Sequence, residues 1–253
     1  GRHDAGKHRS LPMEGDAKLG LNALAGAMGD YNAPADWTRR AADERAKWMA
    51  YVAGNVAPGN APNSYAQAIG AVNALCHPRD RVVAAAGGLP AEVTANWRTL
   101  DIGTVDVEFG FSCMGYEISG AWGARIAQSE REPDRDTITF CGDGSYLMLN
   151  SDIYSSVLSR KKLIVLLLDN GGFAVINKLQ NNTGNERFNN LLSDAPTIPE
   201  AFAVDFEAHA ASMGAAAETV QNPAELSEAF KRAQVSDKTY VICAKVDPYD
   251  GWT

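Results

Sequence analysis

The sequence lacks the patterns that mark several broad classes of protein. Its four cysteines stand far apart, at positions 76, 113, 141 and 243, so neither a zinc motif nor a disulfide framework is indicated. Its four histidines show no metal-ligand spacing either. The longest wholly apolar run, residues 163–168, is far too short to cross a bilayer. These absences favour a reduced, cytoplasmic protein without a membrane partner.

The sequence also has little clustered positive charge. The formal net charge is −8 and the pI is about 5.0, and the basic residues are dispersed. Binding to a nucleic-acid backbone depends on clustered lysine and arginine, so a nucleic-acid partner is not indicated. The one basic cluster lies in residues 37–52, where it alternates with acidic residues as on a solvated amphipathic linker helix.

Helical and strand-like segments alternate along the remaining chain. Alternation of this kind predicts an α/β fold, namely a doubly wound parallel sheet with flanking helices. Apolar runs predict strands over residues 81–86, 137–141, 163–169 and 240–246. Periodicity and capping residues predict helices over residues 64–75, 114–127, 146–158, 202–213 and 224–233, with Asn63 or Ser64 as the first cap.

Two short polar motifs follow two of the predicted strands. Residues 142–144 (Gly-Asp-Gly) follow the first, and residues 170–172 (Asn-Gly-Gly) close the second. Parallel strands direct their carboxyl ends to one edge of the sheet, so Asp143 and Asn170 should converge there. A hard cation that bridges phosphates prefers oxygen ligands, and glycine lets the backbone approach the phosphates. A lone Gly-Asp-Gly is more often a turn, but the pair in this context predicts a magnesium–diphosphate site.

The two motifs resemble those of the thiamine diphosphate enzymes of the acetolactate synthase and pyruvate decarboxylase type. The resemblance implies the thiamine diphosphate-binding fold, with this chain as its diphosphate-binding domain, and thiamine diphosphate and Mg²⁺ as cofactors. It implies that the metal is bound by Asp143, Asn170 and the main-chain carbonyl of Gly172. The full set of residues expected to bind the cofactor is Gly87, Gly88, Ser112, Met114, Gly142, Asp143, Gly144, Ser145, Asn170, Gly172 and Phe173.

A third family element lies upstream, in residues 112–115 (Ser-Cys-Met-Gly). It resembles the segment whose large apolar side chain forces the cofactor into a bent conformation. The resemblance gives that role to Met114, and it implies that the carbonyl of Ser112 accepts a hydrogen bond from the aminopyrimidine. From the residues alone, Met114 could equally be core packing at the start of a helix.

Residues 84–90, 113–117, 142–150 and 188–192 resemble a branch of this family that hydrolyses a carbon–carbon bond in a cyclic 1,2-dione. The expected partner is therefore a small-molecule substrate. Its candidate contacts are Glu117, Asn177 and Gln180, the last two in an amide-rich segment, residues 177–190, that is expected to be a loop. Asparagine-rich loops are also common simply because asparagine favours turns. Glu117 could instead have a packing role.

The resemblance also predicts how the chain is organised. Residues 1–35 are expected to be the tail of a preceding middle domain and a linker, and residues 36–253 the C-terminal cofactor-binding domain. The glutamate that activates the cofactor in this family lies in an N-terminal pyrimidine-binding domain, usually of a neighbouring subunit. No catalytic residue is therefore assigned here, and a homodimer or homotetramer is expected.

Two alternatives remain open at this stage. The chain could belong to a carboligase or 2-oxo acid decarboxylase of the same superfamily. It could also be a cofactor-binding or dimerisation module that is inactive without an N-terminal domain.

Overall fold

The computed structural model describes residues 2–59, 63–195 and 203–250. The chain divides into two compact units, Gly1–Ala50 and Tyr51–Thr253. The first unit contains helices α1 (Arg2–Lys7) and α2 (Ala17–Met28) and most of α3 (Ala35–Asn55), a helix that includes the predicted linker helix. The predicted division into residues 1–35 and 36–253 stays a prediction.

The second unit alternates strands and helices along the chain. Its strands are β1 (Arg81–Ala84), β2 (Val105–Val107), β3 (Thr137–Gly142), β4 (Ile164–Asp169), β5 (Ala216–Val220) and β6 (Tyr240–Lys245). Its helices are α4 (Tyr65–Asn73), α5 (Leu89–Asn96), α6 (Tyr116–Arg131), α7 (Asp143–Met148), α8 (Ser151–Leu158), α9 (Ala174–Asn182), α10 (Phe206–Ser212) and α11 (Pro223–Val235), with a 3₁₀ turn at Leu192–Asp194.

The six strands form one parallel sheet in the order β2-β1-β3-β4-β6-β5. The predicted doubly wound α/β fold is confirmed. In the centre, β3 pairs with β4 so that Gly142 stands opposite Leu168. Both strands therefore end at the same edge, and the two polar motifs follow them there.

Alternation along β4 divides the core into two layers. Leu166 and its neighbours at every second position pack with α4, α5 and α11 on one face of the sheet. Val165 and Leu167 face the other side, where α6, α8 and α10 cover them. A strand that is apolar on both faces must be covered on both, which is why helices flank the sheet on each side.

The start of α4 is fixed by a capping box. The Ser64 hydroxyl accepts a hydrogen bond from Gln67 N at 3.0 Å, and the Gln67 side chain accepts one from Ser64 N at 3.2 Å. Of the two predicted caps, Ser64 is therefore the one used, and Tyr65 becomes the first helical residue.

Two predicted elements differ from the structure. The single helix predicted over residues 146–158 is two helices, α7 and α8, separated at Leu149 and Asn150. The Asn150 side chain donates to the Tyr146 carbonyl at 3.1 Å and so replaces the backbone bond that would continue the helix. The loop predicted over residues 177–190 is wrong in its first part, because α9 continues to Asn182.

Other boundaries shift by local capping. Helix α10 begins at Phe206 rather than at residue 202, because Asp205 caps it by accepting from Ala208 N at 2.9 Å; residue 202 lies outside the described residues. Among the described residues, no helix combines the length and apolar content that a membrane span needs.

We expect Leu166→Ala to lower the free energy of unfolding by about 2–5 kcal/mol, because it leaves a cavity in the central strand. Leu166 is fully buried, whereas Leu158 is 65% exposed at the end of α8. The matched variant Leu158→Ala should change stability by no more than about 0.5 kcal/mol. Urea unfolding measures both, and equal losses would contradict the assigned core.

Candidate functional site

A cavity of about 320 Å³ opens at the carboxyl edge of β3 and β4. All eleven residues expected to bind the cofactor line it, from the end of β1, the segment before α6 and the two polar motifs: Gly87, Gly88, Ser112, Met114, Gly142, Asp143, Gly144, Ser145, Asn170, Gly172 and Phe173. The fold thus brings together residues that are spread over nearly ninety positions of sequence. Their cofactor role stays a prediction.

Asp143 is the first residue of α7 and is 5% exposed. Its Oδ1 atom is buried without a hydrogen-bond partner among the described residues. Burial, and after it the Asp169 carboxylate, raise the pKa of Asp143 to about 7, although backbone N–H groups, including that of Gly172, act in the opposite direction. A buried carboxylate of this kind gains from a bound cation.

Asn170 presents a second buried oxygen. Its Nδ2 donates to the Tyr65 hydroxyl at 2.7 Å, which fixes the orientation of the amide. The Oδ1 atom is buried and has no partner among the described residues. Tyr65 is placed by the capping box of α4, so a helix far away in sequence orients the second metal-ligand candidate.

The backbone at Gly172 is shaped by the segment that returns after α9. Gly172 and Leu191 form an antiparallel bridge, and Phe173 N donates to the Asn190 carbonyl at 2.7 Å. Gly172 has φ +147°, and a Cβ there would lie 2.4 Å from the Asn190 carbonyl oxygen. Only glycine fits between these two strands of backbone.

The donor set fits a magnesium–diphosphate group. Two buried oxygens, Asp143 Oδ1 and Asn170 Oδ1, belong to residues that line the same cavity, and neither is satisfied by the described part of the protein. Buried polar atoms are almost always paired, so two orphaned oxygens in one cavity fit a ligand that supplies positive charge or hydrogen-bond donors. A carboxylate and an amide oxygen suit Mg²⁺, which takes its other ligands from phosphate and water.

Apolar side chains close the cavity above Gly144. A Cβ on Gly144 would lie 2.6 Å from the Phe173 ring and 3.5 Å from the Met114 methyl carbon. Met114 is half-buried and lines the cavity, so its side chain faces the site rather than the core. Before it, Ser112 has φ +51°, and its hydroxyl donates to the Ala85 carbonyl at 3.4 Å.

The three candidate substrate contacts have different places from those expected. None of them lines the cavity. Glu117 is fully buried and accepts hydrogen bonds from protein groups, and Asn177 is 2% exposed within α9. Gln180 accepts from Asn190 Nδ2 at 2.8 Å and also contacts the Glu186 carbonyl. Gln180 therefore bonds to the segment that returns after α9, whereas Asn177 is buried with its Oδ1 atom unpartnered among the described residues. A substrate role for these three residues stays a prediction.

Four further polar residues line the cavity that sequence reasoning did not single out, namely Tyr65, Glu92, Lys178 and Asp250. Glu92 is 3% exposed and accepts from Asn96 Nδ2 at 3.1 Å. The Ser64 cap was a signal for Tyr65, since a helix that begins at the carboxyl edge places its first residue near the site. The sequence carried no comparable signal for the other three.

Asp169, the last residue of β4, supports the second motif. It is 7% exposed, accepts from Gly171 N at 3.0 Å, and pairs with Lys245 at the matching position of β6. The same carboxylate raises the pKa of Asp143, so the two acidic residues interact across the strand ends.

Comparison with known proteins agrees with this geometry. Residues 85–244 match the family described as thiamine pyrophosphate enzyme, C-terminal TPP binding domain. The 3D-(3,5/4)-trihydroxycyclohexane-1,2-dione hydrolase 2 of Bacillus cereus is 36% identical over 195 residues, covering 73% of this chain and 30% of that protein. The corresponding hydrolase of Geobacillus thermodenitrificans is 36% identical over 205 residues, covering 71% and 31%. The chain thus spans about a third of the length of these relatives.

Solved structures share the fold. The thiamine diphosphate-dependent 4-hydroxybenzoylformate decarboxylase of Rhodococcus jostii RHA1 superposes with a TM-score of 0.65 at 20% identity, covering 75% of this chain and 33% of that one. The benzoylformate decarboxylase of Polynucleobacter necessarius gives a TM-score of 0.64 at 18% identity, covering 74% and 33%. At these identities the likeness concerns the fold alone.

We expect Gly172→Ala to lower the free energy of unfolding by about 1–3 kcal/mol, because the new Cβ meets the Asn190 carbonyl and the backbone conformation is strained. Gly142→Ala is the matched control, since Gly142 has an ordinary φ of −80° and nothing lies within 4 Å of its Cβ position. It should change stability by no more than about 0.5 kcal/mol. Denaturant unfolding of both variants checks this, and equal effects would show that the return segment does not contact Gly172.

We expect Asp143→Asn to change the pH dependence of stability in metal-free protein. The pKa of Asp143 is raised from 3.8 to about 7 on folding, so the folded protein keeps a proton that the unfolded chain releases between these values. The wild type should lose stability as pH rises through this range, and the variant, which does not titrate there, should lose less.

The measurement is urea unfolding with a chelator at about pH 5 and about pH 8, and the stability of the variant relative to wild type should be greater at the higher pH. Parallel pH profiles for the two proteins would contradict the buried, uncompensated carboxylate.

Proposed function

Because the chain belongs to the thiamine pyrophosphate enzyme family, whose C-terminal cofactor-binding domain it carries, we propose that its cavity holds the diphosphate of thiamine diphosphate together with Mg²⁺. The observation that carries the proposal is the pair of buried, unpartnered oxygens at Asp143 and Asn170. A divalent cation between them and the diphosphate would satisfy both.

Each part of the cavity has a role in this proposal. Asp143, Asn170 and the carbonyl of Gly172 hold the metal, and the glycines at 87, 88, 142 and 144 let backbone approach the cofactor. Met114, with Phe173 beside it, supplies the apolar surface against which the cofactor bends. When bound, thiamine diphosphate supplies a nucleophilic carbon and an electron sink, and the residues of this chain position it and exclude bulk water.

For the substrate, we infer a cyclic 1,2-dione that carries hydroxyl groups, as the names of the relatives state for those proteins. Hydrolysis consumes one water and breaks the bond between the two carbonyl carbons of trihydroxycyclohexane-1,2-dione. One of these carbons becomes a carboxylate, and the other gains a proton and becomes an aldehyde. Both stay in one acyclic product, 5-deoxy-glucuronate of inositol catabolism. The support for this choice is the 36% identity across the cofactor-binding region.

The proposed enzyme needs more than this chain. The chain spans about 30% of the relatives' length, and the activating glutamate of the family is proposed to lie in an N-terminal pyrimidine-binding domain. A homodimer or homotetramer would bring that domain from a neighbouring subunit to the cavity. No residue of this chain is given the activating role.

Asp143→Ala should abolish the binding of thiamine diphosphate in the presence of Mg²⁺, because it removes the charged metal ligand. The matched control is Asp134→Ala, which deletes an exposed aspartate in the segment before β3 and should leave affinity unchanged. Calorimetric titration measures both, with the N-terminal portion added if the chain alone does not complete the site. Equal affinities for the wild type and Asp143→Ala would contradict the assigned metal site.

Product analysis decides the reaction. The completed enzyme should convert trihydroxycyclohexane-1,2-dione to an acyclic acid and should leave pyruvate unchanged. Release of carbon dioxide or acetolactate from pyruvate would instead identify a decarboxylase or carboligase. A complete enzyme that binds the cofactor and converts neither compound would contradict the proposed substrate.

A further inference from the structure

Glu117 lies in the first turn of α6 and is fully buried. Its carboxylate accepts three hydrogen bonds from groups that are distant from one another in sequence. Ala86 N donates to Oε1 at 3.0 Å, the Ser145 hydroxyl donates to the same oxygen at 2.8 Å, and Gly115 N donates to Oε2 at 2.8 Å. Glutamate is seldom fully buried, so this arrangement calls for a reason.

The three donors belong to three of the segments that line the proposed cofactor cavity, beside the second motif. Ala86 ends the stretch after β1 and is followed by the glycines at 87 and 88. Gly115 follows directly on Met114, and Ser145 follows Gly144 in the first motif. The Glu117 carboxylate therefore connects three segments that line the same cavity, although Glu117 itself does not line it.

The main chain of Glu117 is anchored as well. The Thr139 hydroxyl lies 3.0 Å from the Glu117 carbonyl and 3.0 Å from that of Val83, so the first turn of α6 is tied to β1 and β3. With its backbone fixed to the sheet, the side chain reaches the three donors from a constant position. The three cavity segments are therefore positioned relative to the central strands of the sheet.

The charge of Glu117 argues against a purely packing role. Its carboxylate has no ion-pair partner among the described residues, and its hydrogen-bond donors are neutral. Burying a charge is costly, and an apolar side chain of similar size would avoid the desolvation. Charge-assisted hydrogen bonds, together with the N-terminal end of α6, offset part of that cost. An acceptor with two equivalent oxygens is what three converging donors require.

We propose that Glu117 is a positioning residue that sets the distances between the glycine segment at 87 and 88, Met114 and the Gly144–Ser145 turn, and so determines the affinity of the cofactor site. The proposal rests on the proposed function. Glutamine has the same shape but one acceptor oxygen fewer, so it must leave either Gly115 N or Ala86 N facing an amide NH₂. Aspartate is one methylene shorter and cannot reach all three donors.

The test compares Glu117→Gln with a control in β3, Thr137→Val, that removes a hydrogen bond to the same helix. In the wild type, the Thr137 hydroxyl donates a hydrogen bond of 2.5 Å to the side chain of Gln128, a buried residue near the other end of α6. Thr137→Val removes this bond, which lies away from the cavity. Thermal unfolding shows how far each variant is destabilised, and titration with thiamine diphosphate and Mg²⁺ shows its affinity. We expect at least tenfold weaker binding for Glu117→Gln and wild-type affinity for Thr137→Val at a similar loss of thermal stability.

Two results would overturn the proposal. One is wild-type affinity in Glu117→Gln, and the other is equal weakening in Thr137→Val, which would show that any loss of stability in α6 has the same effect. Both comparisons use the chain with whatever N-terminal portion the wild type needs for binding.

A second measurement needs neither cofactor nor the Glu117 variant. Ser145→Ala removes one donor to Glu117 Oε1, the oxygen that also accepts from Ala86 N. It also removes an acceptor of Gly115 N, at 3.2 Å, but Ser145 has no direct hydrogen bond with Ala86. If Glu117 couples the walls, hydrogen exchange at the Ala86 amide should quicken in this variant. Unchanged exchange at Ala86 would contradict the coupling, even if the wild type bound no thiamine diphosphate and the proposed function failed.

Discussion

The site depends on the parallel pairing of β3 with β4. In this register Gly142 lies opposite Leu168, so Asp143 follows β3, and Asn170 follows Asp169 of β4, at the same edge of the sheet. The register is held by side chains that are buried on both faces, because a slip by one residue would exchange the two core layers. The position of the two oxygens is therefore set by hydrophobic packing some distance below them.

Two of the buried carboxyl groups near this edge, Glu117 and Asp143, differ in how their oxygens are hydrogen-bonded. Glu117 has three donors and is satisfied by the protein itself. Asp143 keeps one oxygen without a partner among the described residues and lies near Asp169, which raises its pKa. Under the proposals above, the first arrangement organises the structure, whereas the second makes ionisation of Asp143 costly, and a bound cation would relieve that cost. The contrast supports the proposal that Asp143, rather than Glu117, binds the cation.

Local patterns predicted the central strands, the Ser64 cap and the two motifs, because apolar runs and capping residues act over a few positions. The sequence could not predict the hydrogen bond from Asn170 to Tyr65, which joins residues 105 positions apart. The break at Leu149 and Asn150 was also missed, since it depends on one side chain that competes with a backbone bond. Composition and periodicity do not predict contacts between residues far apart in sequence. They also do not predict where a single side chain replaces a backbone hydrogen bond.

The segment after α9 holds the second motif in place. Asn190 bonds to Phe173 N through its carbonyl and to Gln180 through its side chain, so the amide-rich segment clamps the second motif. Amides engaged in this way do not line the cavity. The polar groups that do line it beyond the motifs are Tyr65, Glu92, Lys178 and Asp250. Tyr65 already orients Asn170, so any polar ligand in this cavity would meet Glu92, Lys178 and Asp250 beside the motif residues.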